Sequence, residues 1–348
     1  MAPRLALLTP FAFPSVRGNA VTVDRIARGL QQRGLELQVW DLSVTPESVV
    51  ERQVEAFRPA LIHAFHAFRV GPLALRLARR AELPLVVTLT GTDANHDLFD
   101  PGRAPVVRRV LEGAVSLVAF HESVGERIAA ALPDLRGRLA IIPQSVDLPA
   151  TERFDLDTRW PLPAHRVLFV FPAGIRMVKN PRLPFGPFGR LVARRPEVRL
   201  LYAGSVLDSD EGAALLQGLA DLPWARHLGA VPHVQMASLL AQADVVLNCS
   251  ISEGGMANSV LEALAVGRAV LASDIPGNRS LIEEDVTGLL FRDEHELETK
   301  AERLTLDPDL RRRLGAAGQA LVAEQYSRAR EIDGYREVYR RLVPVFSA

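Results

Sequence analysis

Residues 252–265, SEGGMANSVLEALA, place two carboxylates, Glu253 and Glu262, around a glycine pair and the start of a helix. Gly254 and Gly255 let backbone approach a ligand closely, with Met256 in the same loop. The helix start near Asn258 and Ser259 offers free N–H groups and a positive dipole end to an anion. Such a loop can seat a phosphate, or it can be an ordinary helix entry capped by Asn258 or Ser259. Glu262 favours the ligand: a carboxylate on the first turn of an apolar helix is satisfied by accepting two sugar hydroxyls, as a ribose offers them. A second group is Arg176 and Lys179 in AGIRMVKNP, directly after an apolar run. Only Lys179 and Lys300 are lysines among 41 basic residues, so a lysine kept at 179 suggests a site needing a compact ammonium; a residual lysine without a role is the other reading.

The first half carries weaker signals. Gly18 and Asn19 are expected between the first strand and first helix, where a doubly wound sheet binds anions; a plain tight turn explains them as well. In TLTGTDANHDL, Asp93 is a candidate base or hydrogen-bond partner for an acceptor hydroxyl, or a loop-structural carboxylate, and His96 is close enough to substitute for it. His63 and His66 have i,i+3 spacing but no cysteine or acidic third ligand beside them, so interior imidazoles are expected and no metal. Cys249, alone in the chain, fits a reducing cytoplasm and reads as core filler.

These residues need elements to hold them. Short apolar runs at 5–9, 37–40, 61–65, 85–89, 116–120 and 139–143 alternate with stretches of helical spacing, and a second series runs through 167–174, 198–204, 225–229, 244–250, 269–273 and 288–291. Alternating strand and helix predicts parallel sheets covered on both faces. Residues 145–166, rich in Pro, Asp and Arg, read as a linker. The expected architecture is two α/β domains of the doubly wound type, 1–150 and 151–325, facing each other across a cleft at the strands' carboxyl ends. Arg328, Arg330, Glu331, Arg336, Glu337, Arg340 and Arg341 predict a solvated helix face with i,i+4 pairs; a dock for anionic lipid, a peripheral membrane contact, is the alternative.

Composition narrows the function. With 348 residues, 48% hydrophobic, a mean hydropathy of +0.09 and 41 basic against 41 acidic residues, the chain reads as a cytoplasmic globular protein with no field to collect nucleic acid. No run approaches the roughly 18 apolar residues of a membrane span.

The ordered pieces SEGGMANSVLEALAVGRAVLASDIPGN, VTGLLF, FPAGIRMVKNP and IIPQSVD resemble the retaining glycosyltransferases of family 4, which have the GT-B fold of two facing Rossmann-like domains. A GNAVT start, a GTD segment and the VK pair make the chain similar, within that family, to the glycosyltransferase 1 domain-containing protein 1 subgroup. The resemblance implies that a C-terminal helix, 326–348, crosses back to the first domain. It implies that Arg176 and Lys179 neutralise the departing diphosphate, that Glu262 grips the ribose, and that Glu253 with its glycine loop faces the donor sugar. Gly18 and Asn19 would reach the donor phosphates or the acceptor, and Thr90, Gly91 and Thr92 would lie on the acceptor side with Asp93 and His96. Two departures stand out. Eight residues separate the glutamates where the family has seven, and Thr90 occupies the usual histidine position.

The function implied is transfer of a sugar from a nucleoside-diphosphate sugar to an unknown acceptor with retention of configuration, without cofactor. Two arginine and lysine cations and a helix dipole meet the diphosphate charge, so a divalent ion is not required. A thio- or seleno-sugar synthase would suit the missing histidine, and a sugar-nucleotide-binding protein without catalysis is the third reading. A dehydrogenase is disfavoured because no G-x-G-x-x-G follows the first strand.

Overall fold

The computed structural model describes residues 3–12, 18–148, 152–253 and 255–347. The chain forms two compact units: one contains residues up to Ser145 and those from Ser327, the other Val146–Tyr326.

In the first unit β1 (Arg4–Thr9), β2 (Glu36–Asp41), β3 (Leu61–Phe65), β4 (Leu85–Thr88), β5 (Ser116–Ala119) and β6 (Leu139–Ile141) form one sheet in the order β2-β1-β3-β4-β5-β6. In the second, β7 (Val167–Phe171), β8 (Val198–Tyr202), β9 (Ala225–His227), β10 (Val245–Asn248), β11 (Ala269–Ser273) and β12 (Leu289–Phe291) run β12-β11-β10-β7-β8-β9. Every pairing is parallel. Each expected strand is present. The inner strands are mostly apolar because both faces are covered, so their alternating residues feed separate cores. Ala6 and Leu8 join one core with Ile62, Ala64 and Val87, while Leu5 and Leu7 join another with Leu61, Phe65 and Val86.

That second core includes Val23, Ile26 and Leu30 of the Gly18–Gln32 helix and Ile332, Tyr335 and Tyr339 of the Arg328–Leu342 helix. Here two expectations are corrected. Gly18 and Asn19 are the first residues of a helix, not a turn, and Asn19 Nδ2 donates to Thr9 Oγ1 at 3.1 Å, tying that helix to the end of β1. Glu331 is buried rather than on a solvated face: its carboxylate accepts from Arg25 Nε (2.8 Å) and Nη2 (2.7 Å), and from Ser145 Oγ (2.6 Å). The outer face keeps the expected i,i+4 pairing in Arg341–Glu337. Among the described residues, no helix is long and apolar enough to cross a membrane.

His63 is wholly buried on β3, its Nδ1 2.7 Å from Tyr339 Oη and its Nε2 2.7 Å from Thr88 Oγ1. Burial lowers its pKa from 6.5 to about 3. Below pH 6.5 the unfolded chain takes up a proton that the folded chain refuses, so stability falls with pH until about pH 3. From pH 7 to pH 5 this residue alone should remove about 2 kcal/mol. Urea titrations at both pH values check this; His63→Gln should shrink the pH-dependent loss by that amount, whatever it costs at pH 7.

Candidate active site

The second sheet reverses direction between β7 and β10: the chain builds outward through β8 and β9, then returns to the other side of β7. In open parallel sheets, ligands bind beyond the strand ends at such a switch point. The loops leaving β7 and β10 are therefore the place to look, and they are joined by a hydrogen bond from Ile251 N to Val178 O at 2.9 Å.

After β7 the chain bends at Ala173, is extended at Arg176 and makes one 3₁₀ turn, Met177–Lys179, whose Lys179 N donates to Arg176 O at 2.9 Å. Asn180, in the left-handed region at φ 49°, ends the turn. Arg176 is half-buried. The Lys179 ammonium forms an ion pair with Glu253, with only 13% and 10% of the two side chains exposed. The same Glu253 Oε1 accepts from Ser250 Oγ (2.6 Å) and Asn248 Nδ2 (3.2 Å). Burial pushes the Glu253 pKa up, but the Lys179 charge and the hydrogen bonds from Lys179, Ser250 and Asn248 outweigh it and hold the pKa below the usual value. Glu253 is thus an anion that holds a largely buried lysine at the switch point.

Asn248 and Asn278 support this group and carry no obvious mark in the sequence beyond being polar residues among apolar ones. Asn278 Nδ2 donates to Asn248 Oδ1 (3.3 Å) and to Ser273 O (2.9 Å), cross-linking the ends of β10 and β11. Gly277 lies under the motif loop: a Cβ there would be 2.5 Å from Glu253 Cβ and 2.6 Å from Gly255 O. Gly277→Ala should displace Glu253 and lower turnover about tenfold, short of the 10²-fold that a 1 Å misplacement can cost. Steady-state kinetics on the folded variant check this.

The Asn258–Ala265 helix has Ala257 as its N-cap with no side-chain cap bond, so Asn258 and Ser259 are its first residues and not its cap. Glu262 consequently begins the second turn rather than sitting on the first. Its Oε1 lies 3.3 Å from Nε2 of His233, a neighbour 29 residues away that periodicity did not mark. Met256 is buried and packs inward, Gly255 is buried at φ 155°, and Gly254 lies outside the described residues. Cys249 is buried and burial pushes its thiol pKa well up, as suits a core position.

In the first unit, the expected acceptor-side residues form a π-helical turn, Asp93–Asp97. Asp93 is fully buried, and its carboxylate accepts from the N–H groups of Ala67 (2.8 Å), Thr90 (3.0 Å), Gly91 (2.8 Å) and Ala94 (3.1 Å). A side chain so engaged clamps the loops after β3 and β4. The structure therefore corrects the expectation of Asp93 as a base, because its lone pairs are committed to backbone. His66, at φ 99°, accepts from Phe68 N and Arg69 N on Nδ1 (3.2 Å each), which leaves the Nε2 proton facing Thr92 Oγ1 at 2.9 Å. Thr92 and His96 are exposed, and Thr90 is half-buried. Among the described residues, no group of three or more His, Cys, Asp or Glu side chains is placed to hold a metal ion.

A switch point of this kind, with a largely buried cation–carboxylate pair at the strand ends, is a candidate ligand site on a parallel α/β sheet. Residues 188–335 match the family model described as glycosyl transferase-like. Over 294 residues the chain is 30% identical to D-inositol 3-phosphate glycosyltransferase of Frankia alni, covering 75% of this chain and 69% of that one. The chain belongs to the glycosyltransferases of the GT-B fold. More particularly, it is similar along nearly its whole length to glycosyltransferase 1 domain-containing protein 1 of Xenopus tropicalis, 27% identical over 333 residues, 93% of this chain and 94% of that one. The solved structure of Anabaena Alr3699/HepE in complex with UDP and glucose superposes with a TM-score of 0.81 at 17% identity, covering 98% of this chain and all of that one.

Proposed function

We propose that this glycosyltransferase moves a sugar from a nucleoside-diphosphate sugar, a UDP-sugar in the first instance, to an acceptor nucleophile with retention of configuration. The observation carrying the proposal is the Lys179–Glu253 pair at the β7/β10 switch point; the UDP and glucose bound by the Anabaena protein support the donor class. As the bond between the anomeric carbon and the diphosphate oxygen breaks, the diphosphate keeps the electron pair. Lys179 leaves Glu253 to meet that charge, joined by Arg176 and the N–H groups of the Asn258–Ala265 helix, and these contacts strengthen most in the transition state. The acceptor attacks from the face the diphosphate leaves, and the proton of a hydroxyl acceptor passes to a leaving-group oxygen. Glu262 takes the ribose hydroxyls.

The commitment of Asp93 to backbone N–H groups favours one refinement of the acceptor: a nucleophile that needs no strong protein base, such as a thiol or selenol already ionised. The experiment is incubation with UDP-, GDP- and ADP-sugars, following release of the nucleoside diphosphate. Slow hydrolysis of at least one donor is expected. Binding without hydrolysis would make the chain a sensor of sugar nucleotides, and neither binding nor hydrolysis would overturn the proposal.

A further inference from the structure

We propose that His233 is a positioning residue that fixes the Glu262 carboxylate for the 2′- and 3′-hydroxyls of the donor ribose, and so makes the site select ribonucleotides over 2′-deoxyribonucleotides. The inference rests on the transferase reading and deepens it.

His233 opens the His233–Ala241 helix, just after β9 and its loop, with Pro232 extended before it at φ −55° and ψ 138°. Glu262 comes from a different helix, the one leaving β10. The imidazole reaches across to the carboxylate with Nε2 3.3 Å from Oε1, and the two side chains are only 22% and 14% exposed. A glutamate has three side-chain torsions, and its helix position alone leaves several rotamers open. A hydrogen bond from a short, stiff ring on a neighbouring element selects one of them, and a bond to an ionised group is stronger than one between neutral groups. The proton for that bond must reside on Nε2, because a carboxylate can only accept. One lone pair of Oε1 is thereby occupied. The other lone pair of Oε1 and both of Oε2 remain for two hydroxyl donors, the number a ribose diol presents. A 2′-deoxyribose supplies one donor fewer and leaves a half-buried carboxylate oxygen short of a partner, which is the arrangement that discriminates most strongly against a missing hydroxyl.

The test is calorimetric binding of UDP, 2′-deoxy-UDP, GDP and 2′-deoxy-GDP to the full-length chain and to its His233→Ala and His233→Gln variants. Wild type should prefer the ribonucleotide. His233→Ala should lose about tenfold in affinity for the ribonucleotide and much less for the deoxy analogue, so that the ratio falls toward one. His233→Gln, which keeps an N–H donor, should recover part of the ratio. A merely structural role would weaken both nucleotides equally, so an unchanged ratio in His233→Ala overturns the proposal. So does tighter ribonucleotide binding, which would mean that the imidazole competes for the ribose position. If none of the four nucleotides binds wild type, this inference fails, while the transferase reading is decided separately by the UDP-, GDP- and ADP-sugar assay.

Discussion

Replacing Lys179 by alanine should lower donor turnover by about 10²-fold or more, the usual cost of losing one charged contact aimed at a leaving group. The structure sharpens the test because Lys179 has a second function: it neutralises Glu253, whose carboxylate is buried and held ionised by that lysine and by hydrogen bonds. Removing the lysine leaves an uncompensated carboxylate, so Glu253 should take up a proton more readily and part of the defect would be structural. The double variant Lys179→Ala/Glu253→Gln, measured against Glu253→Gln alone, separates the two. If the ammonium serves the departing diphosphate, turnover stays low after the stranded charge is removed, while thermal stability recovers. If the lysine only balances Glu253, the double variant regains activity and the leaving-group role is lost. Lys179→Arg should rescue poorly, since a planar guanidinium does not reproduce a compact ammonium on a Glu253 oxygen that Ser250 and Asn248 also contact. The pH dependence has a defined sign. Glu253 has a lowered pKa, so the stability it contributes is present above the ordinary carboxylate range and is lost as pH falls through its folded value.

The second large effect concerns stability. Glu331→Ala should destabilise the first unit by about 3–5 kcal/mol, the range for breaking one side of a buried ion pair. Arg25 and Glu331 are 3% and 0% exposed and meet in bidentate geometry, so both charges sit away from bulk solvent. The larger part of that cost is the stranded Arg25 charge rather than the worth of the pair. Arg25→Met/Glu331→Leu should therefore recover much of the loss, because both charges go and the volume is refilled. Denaturant unfolding of the single and double variants measures this. A Glu331→Ala change under about 1 kcal/mol would place the pair among surface ion pairs, against its burial.

Much of the architecture could be read from the chain because it is encoded locally. VLFVF, the VVL of β10 and the AVLA of β11 are apolar without alternation, and only a strand covered on both faces tolerates that, so the parallel sheets follow from the runs themselves. The scarcity of lysine singled out Lys179, and two glutamates around glycines marked the loop after β10. Both signals lie in a few consecutive residues.

What the sequence alone determined was therefore the set of elements, their order and the identity of the chemically capable side chains. The tertiary structure decided which of those side chains meet. Lys179 reaches Glu253 across 74 positions, His233 reaches Glu262 across 29, and Arg25 reaches Glu331 across 306. It made Glu331 a buried anion despite its charged surroundings in the sequence, and Asp93 a loop clamp despite its resemblance to a base. The reason is physical: periodicity reports which face of an element is apolar, whereas the partner of a polar side chain depends on where the crossovers bring two distant elements together. Burial then fixes whether that partner must be an ion, an amide or backbone.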